Sequence, residues 1–327
     1  MVSPETIQQS NARVAALPRG LVALFIGASS GIGQAVLERF AQYAPAPRIY
    51  TVARAPTVAS HEALLASLRQ SHPSGTYNLI EADVSLVSEI DKVVRAITQT
   101  EIHLDILFLS AGFMAFEGRR DTREGLDPSM TTRYHSRLRA VQLLLPLLNS
   151  PAAVSPRVVS VLAAGMEGPI NEHDLDLREP GSWSFWNASV YAATMSTLAL
   201  EHLARQNPRL SVVHWSPGPV ATPGLARAAQ FGMSPPNQAS QDEAGVRGLF
   251  IATSDRYAVG DGGLVPVPPG LGVAKKSGGG IFLVGPQGEN VDNERLLGGM
   301  RSRGLDEKVW SFTQTVFAAC AAQAAGT

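Results

Sequence analysis

Residues 22–33 read Val-Ala-Leu-Phe-Ile-Gly-Ala-Ser-Ser-Gly-Ile-Gly, an apolar run that breaks into Gly27, Gly31 and Gly33. An apolar run, a glycine-rich turn and a helical pattern from Gln34 to Tyr43 are the parts of a dinucleotide phosphate site. The first glycine permits a tight turn, and the second lets backbone approach a pyrophosphate. The third lets the helix pack closely on the strand, so that its N-terminal N–H groups face the anion. An ordinary strand-to-helix turn would also use glycine. The spacing Gly-x-x-x-Gly-x-Gly, with Ser29, Ser30 and Ile32 between the glycines, favours the phosphate reading.

The rest of the chain alternates short β-branched runs with longer helical periods, which predicts a doubly wound parallel α/β sheet of Rossmann type with helices on both faces. Strands are expected near 21–26, 48–53, 77–81, 104–109, 157–162, 211–215 and 280–284. Helices are expected near 31–44, 60–71, 86–100, 130–149, 187–206, 239–253 and 305–322, with Pro146 kinking the fourth or marking its last turns. Gly260, Gly262, Gly263, Pro266, Pro268, Pro269 and Gly270 make 254–280 a loop. The expected division is an N-terminal extension (1–20), a dinucleotide-binding and catalytic domain (21–253), and a C-terminal extension (254–327) completing the same domain.

The 27 basic and 28 acidic residues leave a net charge of −1, with no basic block, so nucleic acid is not an expected partner. Cys320 is the single cysteine, so an intrachain disulfide is impossible and a reducing compartment is expected. Met1 to Gly20 is polar and proline-interrupted, without the apolar core of a signal peptide or membrane span, which points to the cytoplasm. The His, Asp and Glu residues show no zinc-type spacing, so no metal is implied.

The string Gly27-Ala-Ser-Ser-Gly-Ile-Gly33 resembles the short-chain dehydrogenase/reductase superfamily, and further blocks follow in that family's order. Asp83-Val84 stands where the family's acidic residue binds adenine. Ser110-Ala111-Gly112 is similar to its Asn-Ala-Gly. Pro217-Gly218-Pro219-Val220-Ala221-Thr222 is similar to the segment that closes over the nicotinamide carboxamide. Arg54 follows the second strand where an acid would favour NAD; an arginine suits a 2′-phosphate, so NADP is expected. The C-terminal extension and the Tyr191-Ala-Ala-Thr-Met195 motif look like a divergent fungal branch tied to secondary metabolism. The resemblance also implies pairing into a homo-oligomer through the fourth and fifth helices, which the C-terminal extension would block or alter.

The catalytic half departs from the family pattern. Tyr191 keeps the place of the general acid/base, but the lysine position is Met195 and the serine position is Ala163. Arg133-Tyr134-His135-Ser136-Arg137 occupies the asparagine region. A free tyrosine is roughly one part in a thousand ionised at pH 7. An ammonium favours the phenolate and a thioether does not. Carbonyl reduction starts from neutral tyrosine, so it suffers less than alcohol oxidation. Loss of one oxyanion donor at position 163 costs about 10²–10³ in rate. His135, Glu167, His173 and Asp174 are candidate replacement acids or bases, although a packed or surface histidine at 135 is at least as good a reading and charged loop residues such as the other three are usually just solvated. His214, before Trp215, reads as structural.

Phe113, Met114, Met166, Trp183, Phe185, Trp186, Phe231 and Met233 fall on segments following the carboxyl ends of strands, or just ahead of Tyr191. They suggest an apolar cavity for a bulky hydrophobic small molecule. Three functions stay open: an NADPH-dependent reductase of a carbonyl or imine; a redox-silent cyclase, isomerase or dehydratase; and a non-enzymatic dinucleotide-binding protein.

Overall fold

The computed structural model describes residues 1–260 and 263–326. The strands are β1 (Val22–Ile26), β2 (Arg48–Ala53), β3 (Thr76–Glu81), β4 (Ile106–Leu109), β5 (Arg157–Val161), β6 (Ser211–Trp215) and β7 (Phe282–Val284). The helices are α1 (Pro4–Ala12), α2 (Gly31–Tyr43), α3 (Ala55–Ser71), α4 (Val87–Thr98), α5 (Pro128–Met130), α6 (Ser136–Leu148), α7 (Phe185–Gln206), α8 (Pro223–Ala228), α9 (Gln241–Thr253), α10 (Glu294–Ser302) and α11 (Leu305–Ala325). The seven strands form one parallel sheet in the order β3-β2-β1-β4-β5-β6-β7. Strand order reverses between β1 and β4, so their carboxyl ends open a crevice there.

Both faces of the sheet are covered, which is why its strands read as unbroken apolar runs. In β1, Val22, Leu24 and Ile26 point into a core shared with α4, α6, α7 and α11. Ala23 and Phe25 point into a second core shared with α2, α3 and α9. At the opposite edge from the crevice, the buried Asp105 carboxylate accepts N–H bonds from Val22 (2.8 Å) and Val154 (2.6 Å), tying β1 to the entry of β5.

The doubly wound class holds, with local departures. Residues 4–12 form a helix that the proline-interrupted sequence hid. Ser3 caps it, Pro4 takes its first turn, and Asn11 docks it by donating to the Val246 carbonyl. Helix α3 starts at Ala55, not near 60, because Pro56 is well placed in a first turn. Strand β7 begins at Phe282, since Gly280 has φ +95° and cannot continue a strand. Helices α8 and α10 were not expected. Pro146 lies in the last turns of α6, as the pattern allowed. Gly262 lies outside the described residues.

The expected helix over 130–149 is broken in its first half. Residues Thr131–His135 form a π-helical turn between α5 and α6. One residue too many for a regular turn rotates the side chains that precede α6. At the other end of the chain, α11 lies over α6 and α7. Trp310 stacks on His202 (5.0 Å between ring centroids), Gln142 donates to Gln314 (2.8 Å), and Phe317 is buried beneath the Arg139 guanidinium (5.3 Å). No helix among the described residues is long and apolar enough to cross a membrane. Phe317→Ala should lower unfolding free energy by about 3–5 kcal/mol in urea titrations. A change below about 1 kcal/mol would mean that α11 is not part of the cooperative fold.

Candidate active site

The glycine loop is built against the turn that ends β4. Gly27 has φ +104°, and a Cβ there would lie 2.1 Å from the Ala111 nitrogen. A Cβ on Gly33 would lie 2.3 Å from Ser110 Oγ and 2.4 Å from the Gly27 carbonyl oxygen. Ser110 Oγ donates to that carbonyl at 3.0 Å, and the Ser110 and Ala111 amides both donate to Ile26. Ser110 thus joins two loops. Ser30 leaves the start of α2 without a side-chain cap, so the Gly31, Ile32 and Gly33 amides are not claimed by it. Above them, Thr222 Cγ2 stands 3.1 Å from where a Gly31 Cβ would be, and Thr222 Oγ1 caps α8. The 217–222 segment therefore lies on the glycine loop, turned by Gly218 at φ +68°.

Arg54 is exposed at the end of β2, and its guanidinium has no partner among the described residues. Asp83 is exposed after β3 and accepts from the Ser85 amide at 3.0 Å. Val84 gives its carbonyl to Ser136 Oγ at 2.8 Å. These approaches bring Gly27, Gly31, Gly33, Ser110, Ala111 and Thr222 together beyond the carboxyl ends of β1 and β4.

Tyr191 is nearly buried on α7, and its phenolic oxygen accepts the Asn171 amide at 2.7 Å. Its own hydrogen stays free to be donated. One turn later Met195 is fully buried in the core, so no ammonium stands beside the phenol from that position. The loop that carries Asn171 is anchored by a buried relay. The Ala163 amide donates to His214 Nε2 at 3.1 Å, which leaves the ring proton on Nδ1. Nδ1 faces Thr197 Oγ1 at 2.8 Å, and that hydroxyl donates to Glu167 Oε1 at 2.7 Å. Glu167 Oε2 accepts from the Gly165 amide (2.9 Å) and Asn293 Nδ2 (3.3 Å). Glu167 was a candidate acid or base. With its side chain wholly buried and both oxygens engaged, it holds the loop instead.

His135 also departs from expectation. The π-helical turn leaves its ring packed against Tyr134 (4.9 Å) and Phe312 of α11 (6.1 Å), on the α11 side of the helix. Burial, helped by the Arg119 charge, pushes its pKa down to about 3, so it is a neutral packed residue at pH 7. His173 is exposed, and the Asp174 carboxylate accepts the Arg178 (2.6 Å) and Glu179 (3.0 Å) amides as a local cap. The same turn buries Arg133 and Arg137, which motif reasoning passed over. Among the described residues neither forms an ion pair.

The aromatic residues form a rim more than a closed pocket. Phe116 stacks on Phe231 (4.7 Å, 16°) and packs on Phe185 (4.5 Å), which meets Trp186 edge-on. Three segments meet there: the loop after β4, the start of α7 and the turn after α8. Phe113, Met166, Trp186 and Phe231 are exposed, whereas Trp183 is half-buried with the Arg119 guanidinium over its ring at 5.8 Å. Met114 is half-buried. Phe116, central to the cluster, was missed because nothing in a single apolar loop residue marks it.

Residues 21–230 match the short chain dehydrogenase family. The chain is 65% identical over 321 residues to an NmrA-like family domain-containing oxidoreductase of an Aspergillus species, covering 98% of this chain and 96% of that protein. An oxidoreductase of Emericella nidulans is 36% identical over 333 residues, covering 97% of this chain and 98% of the other. Among solved structures, a short chain dehydrogenase from Burkholderia cenocepacia in complex with NADP superposes with a TM-score of 0.54. It is 20% identical and covers 72% of this chain and 91% of its own, a likeness of fold.

His135 and His214 carry a pH signature. Burial holds both near a pKa of about 3, against 6.5 for a free histidine. Unfolded chains take up protons below pH 6.5 that the folded chain refuses. The stability from keeping these rings neutral is therefore present above 6.5 and lost as pH falls towards 3. Each contributes a slope of up to about 1.4 kcal/mol per pH unit. Urea unfolding of His135→Leu should show a shallower loss between pH 6.5 and 4.5 than the parent; equal slopes would contradict the burial argument.

Proposed function

The chain belongs to the short-chain dehydrogenase family and is an oxidoreductase by that membership, and we propose that it is an NADPH-dependent reductase of a bulky hydrophobic carbonyl or imine. The observation that carries the cofactor assignment is the glycine loop with no room for a Cβ at Gly27 or Gly33, with Arg54 free at the end of β2. Gly27, Ser29, Ser30, Gly31, Ile32 and Gly33 would hold the pyrophosphate. Arg54 would pair with a 2′-phosphate, and Asp83 and Val84 would border the adenine. Ser110, Ala111, Gly112, Pro217, Gly218, Val220 and Thr222 would enclose the nicotinamide end. When bound, the dinucleotide supplies the hydride.

The chain's own residues then bind, orient and protonate. Tyr191 accepts the Asn171 amide, which leaves its hydroxyl hydrogen available for donation, as a proton donor requires. With Met195 in the lysine position, this arrangement favours reduction over alcohol oxidation. The stacked Phe116, Phe185 and Phe231 would cover a flat, apolar substrate and keep water from it. The fungal oxidoreductase relatives support a place in secondary metabolism, and a cytoplasmic location is part of the same reading. Helix α11 covers α6 and α7, so homo-oligomer pairing through those helices would be blocked or altered.

Ala163 and Met195 favour a second reading, a cyclase, isomerase or dehydratase that keeps the fold without net redox. Titration by tryptophan fluorescence separates the two. NADPH should bind at least tenfold tighter than NADH, and Arg54→Ala should remove most of that preference. No binding of either dinucleotide would send the assignment to the redox-silent reading. With a turned-over carbonyl or imine substrate in hand, Tyr191→Phe should lower kcat by about 10²–10⁴. An unchanged kcat would remove Tyr191 from proton transfer.

A further inference from the structure

Arg133 and Arg137 lie one helical turn apart at the carboxyl end of β4, and both are buried. Arg137 spends its donors on neutral acceptors: the Thr132 carbonyl (3.2 Å), Ser160 Oγ (3.0 Å), the Val161 carbonyl (2.7 Å) and the Ala111 carbonyl (2.5 Å). It clamps the ends of β4 and β5. Arg133 donates Nε to the Ser129 carbonyl (3.2 Å) and Nη1 to Ser189 Oγ (3.0 Å), two residues before Tyr191. Its Nη2 has no acceptor among the described residues. Its stem lies directly under the exposed Gly112, where a Cβ would meet Arg133 Cγ at 3.1 Å.

Two adjacent buried cations with no carboxylate in direct contact are an expensive arrangement in a protein interior. Burial pushes Arg133 down to about 10; burial and the Arg133 charge push Arg137 down to about 9. Asp127 is the carboxylate that favours Arg133 from nearby, and it is already held by the Ser129 (2.9 Å) and Met130 (3.0 Å) amides. Positive charge offset only by a carboxylate out of bonding reach, beside an open cleft, is what an anion site requires.

We propose that the pair forms an oxyanion site for the substrate, and that Arg133 Nη2 is the group that contacts a carboxylate or enolate oxygen, with Arg137 positioning it. The assignment rests on the cleft being the substrate site, not on whether hydride is transferred. It gives a positive charge to a centre whose serine and lysine positions are Ala163 and Met195. The substrate class narrows to a flat, apolar molecule with one anionic or enolisable oxygen.

The probe is 1-naphthoate against its neutral analogue 1-naphthamide, titrated calorimetrically into the full chain with and without saturating NADPH. Naphthoate should bind on the order of tenfold more tightly than the amide. Arg133→Met should abolish that preference and leave Tm unchanged or raised, because an uncompensated buried charge is replaced by an apolar side chain. Arg133→Lys should keep part of the preference. Arg137→Met should lower Tm, because the Ala111 and Val161 carbonyls lose their donor. Equal binding of the two probes would overturn the proposal, as would a preference retained in Arg133→Met. A Tm loss in Arg133→Met matching that of Arg137→Met would mark Arg133 as a structural clamp. Exclusion of naphthoate by NADPH would assign the site to the dinucleotide instead. The NADPH titration reads the reductase assignment separately, so the two fail independently.

Discussion

Backbone meets backbone where the first βα loop touches the end of β4, and much of the cleft depends on that contact. The spaces beside Gly27 and Gly33 are filled by Ala111, by Ser110 Oγ and by the loop's own carbonyl. No side chain larger than hydrogen fits at either position without moving a strand. The contact holds β1 and β4 at the reversal of strand order and aims the start of α2 along the cleft. It also brings the Thr222 segment down on Gly31. Ser110, in place of the family's asparagine, supplies a side-chain bond across it.

The chemistry around this frame has been redistributed. Position 163 offers a backbone amide that His214 claims, and position 195 offers a thioether sunk in the core. Tyr191, the proposed proton donor, accepts a peptide N–H from a loop. That loop is anchored through Glu167, Thr197, His214 and Asn293, which come from the β5 loop, α7, β6 and the segment before α10. Across the turn before α6 and its first residues, Arg133 and Arg137 are buried without an ion pair among the described residues. The C-terminal extension takes part in this arrangement. Asn293 completes the relay, and α11 supplies Phe312 and Thr313 to the far side of the same turn.

The fold was legible because its signals are local. Alternating apolar runs and helical periods require neighbours only a few residues away, and the glycine loop states its own backbone geometry. The strand centres, the parallel class and the cleft all followed from that. The short pieces were not legible. Helix α1 is stabilised by a Ser3 cap and by docking on α9, neither of which appears as a hydrophobic period. The side-chain assignments around Tyr191 were legible in identity but not in direction. His135 and Arg133 stand two residues apart on one segment, and a regular helix read from sequence does not contain the π-helical turn that sorts them. Glu167 read as a loop carboxylate until the fold enclosed it.

By itself, then, the sequence determined the sheet, the dinucleotide-type loop and the loss of the serine and lysine side chains, because each is a property of residues close along the chain. Tertiary structure alone decided which titratable groups are neutral and packed and which are clamps. Those outcomes depend on burial and on hydrogen-bond partners drawn from distant segments: 51 residues from Ala163 to His214, 126 from Glu167 to Asn293, and 56 from Arg133 to Ser189. Separations of that size leave no local pattern, and only the packed chain brings the groups within reach of one another.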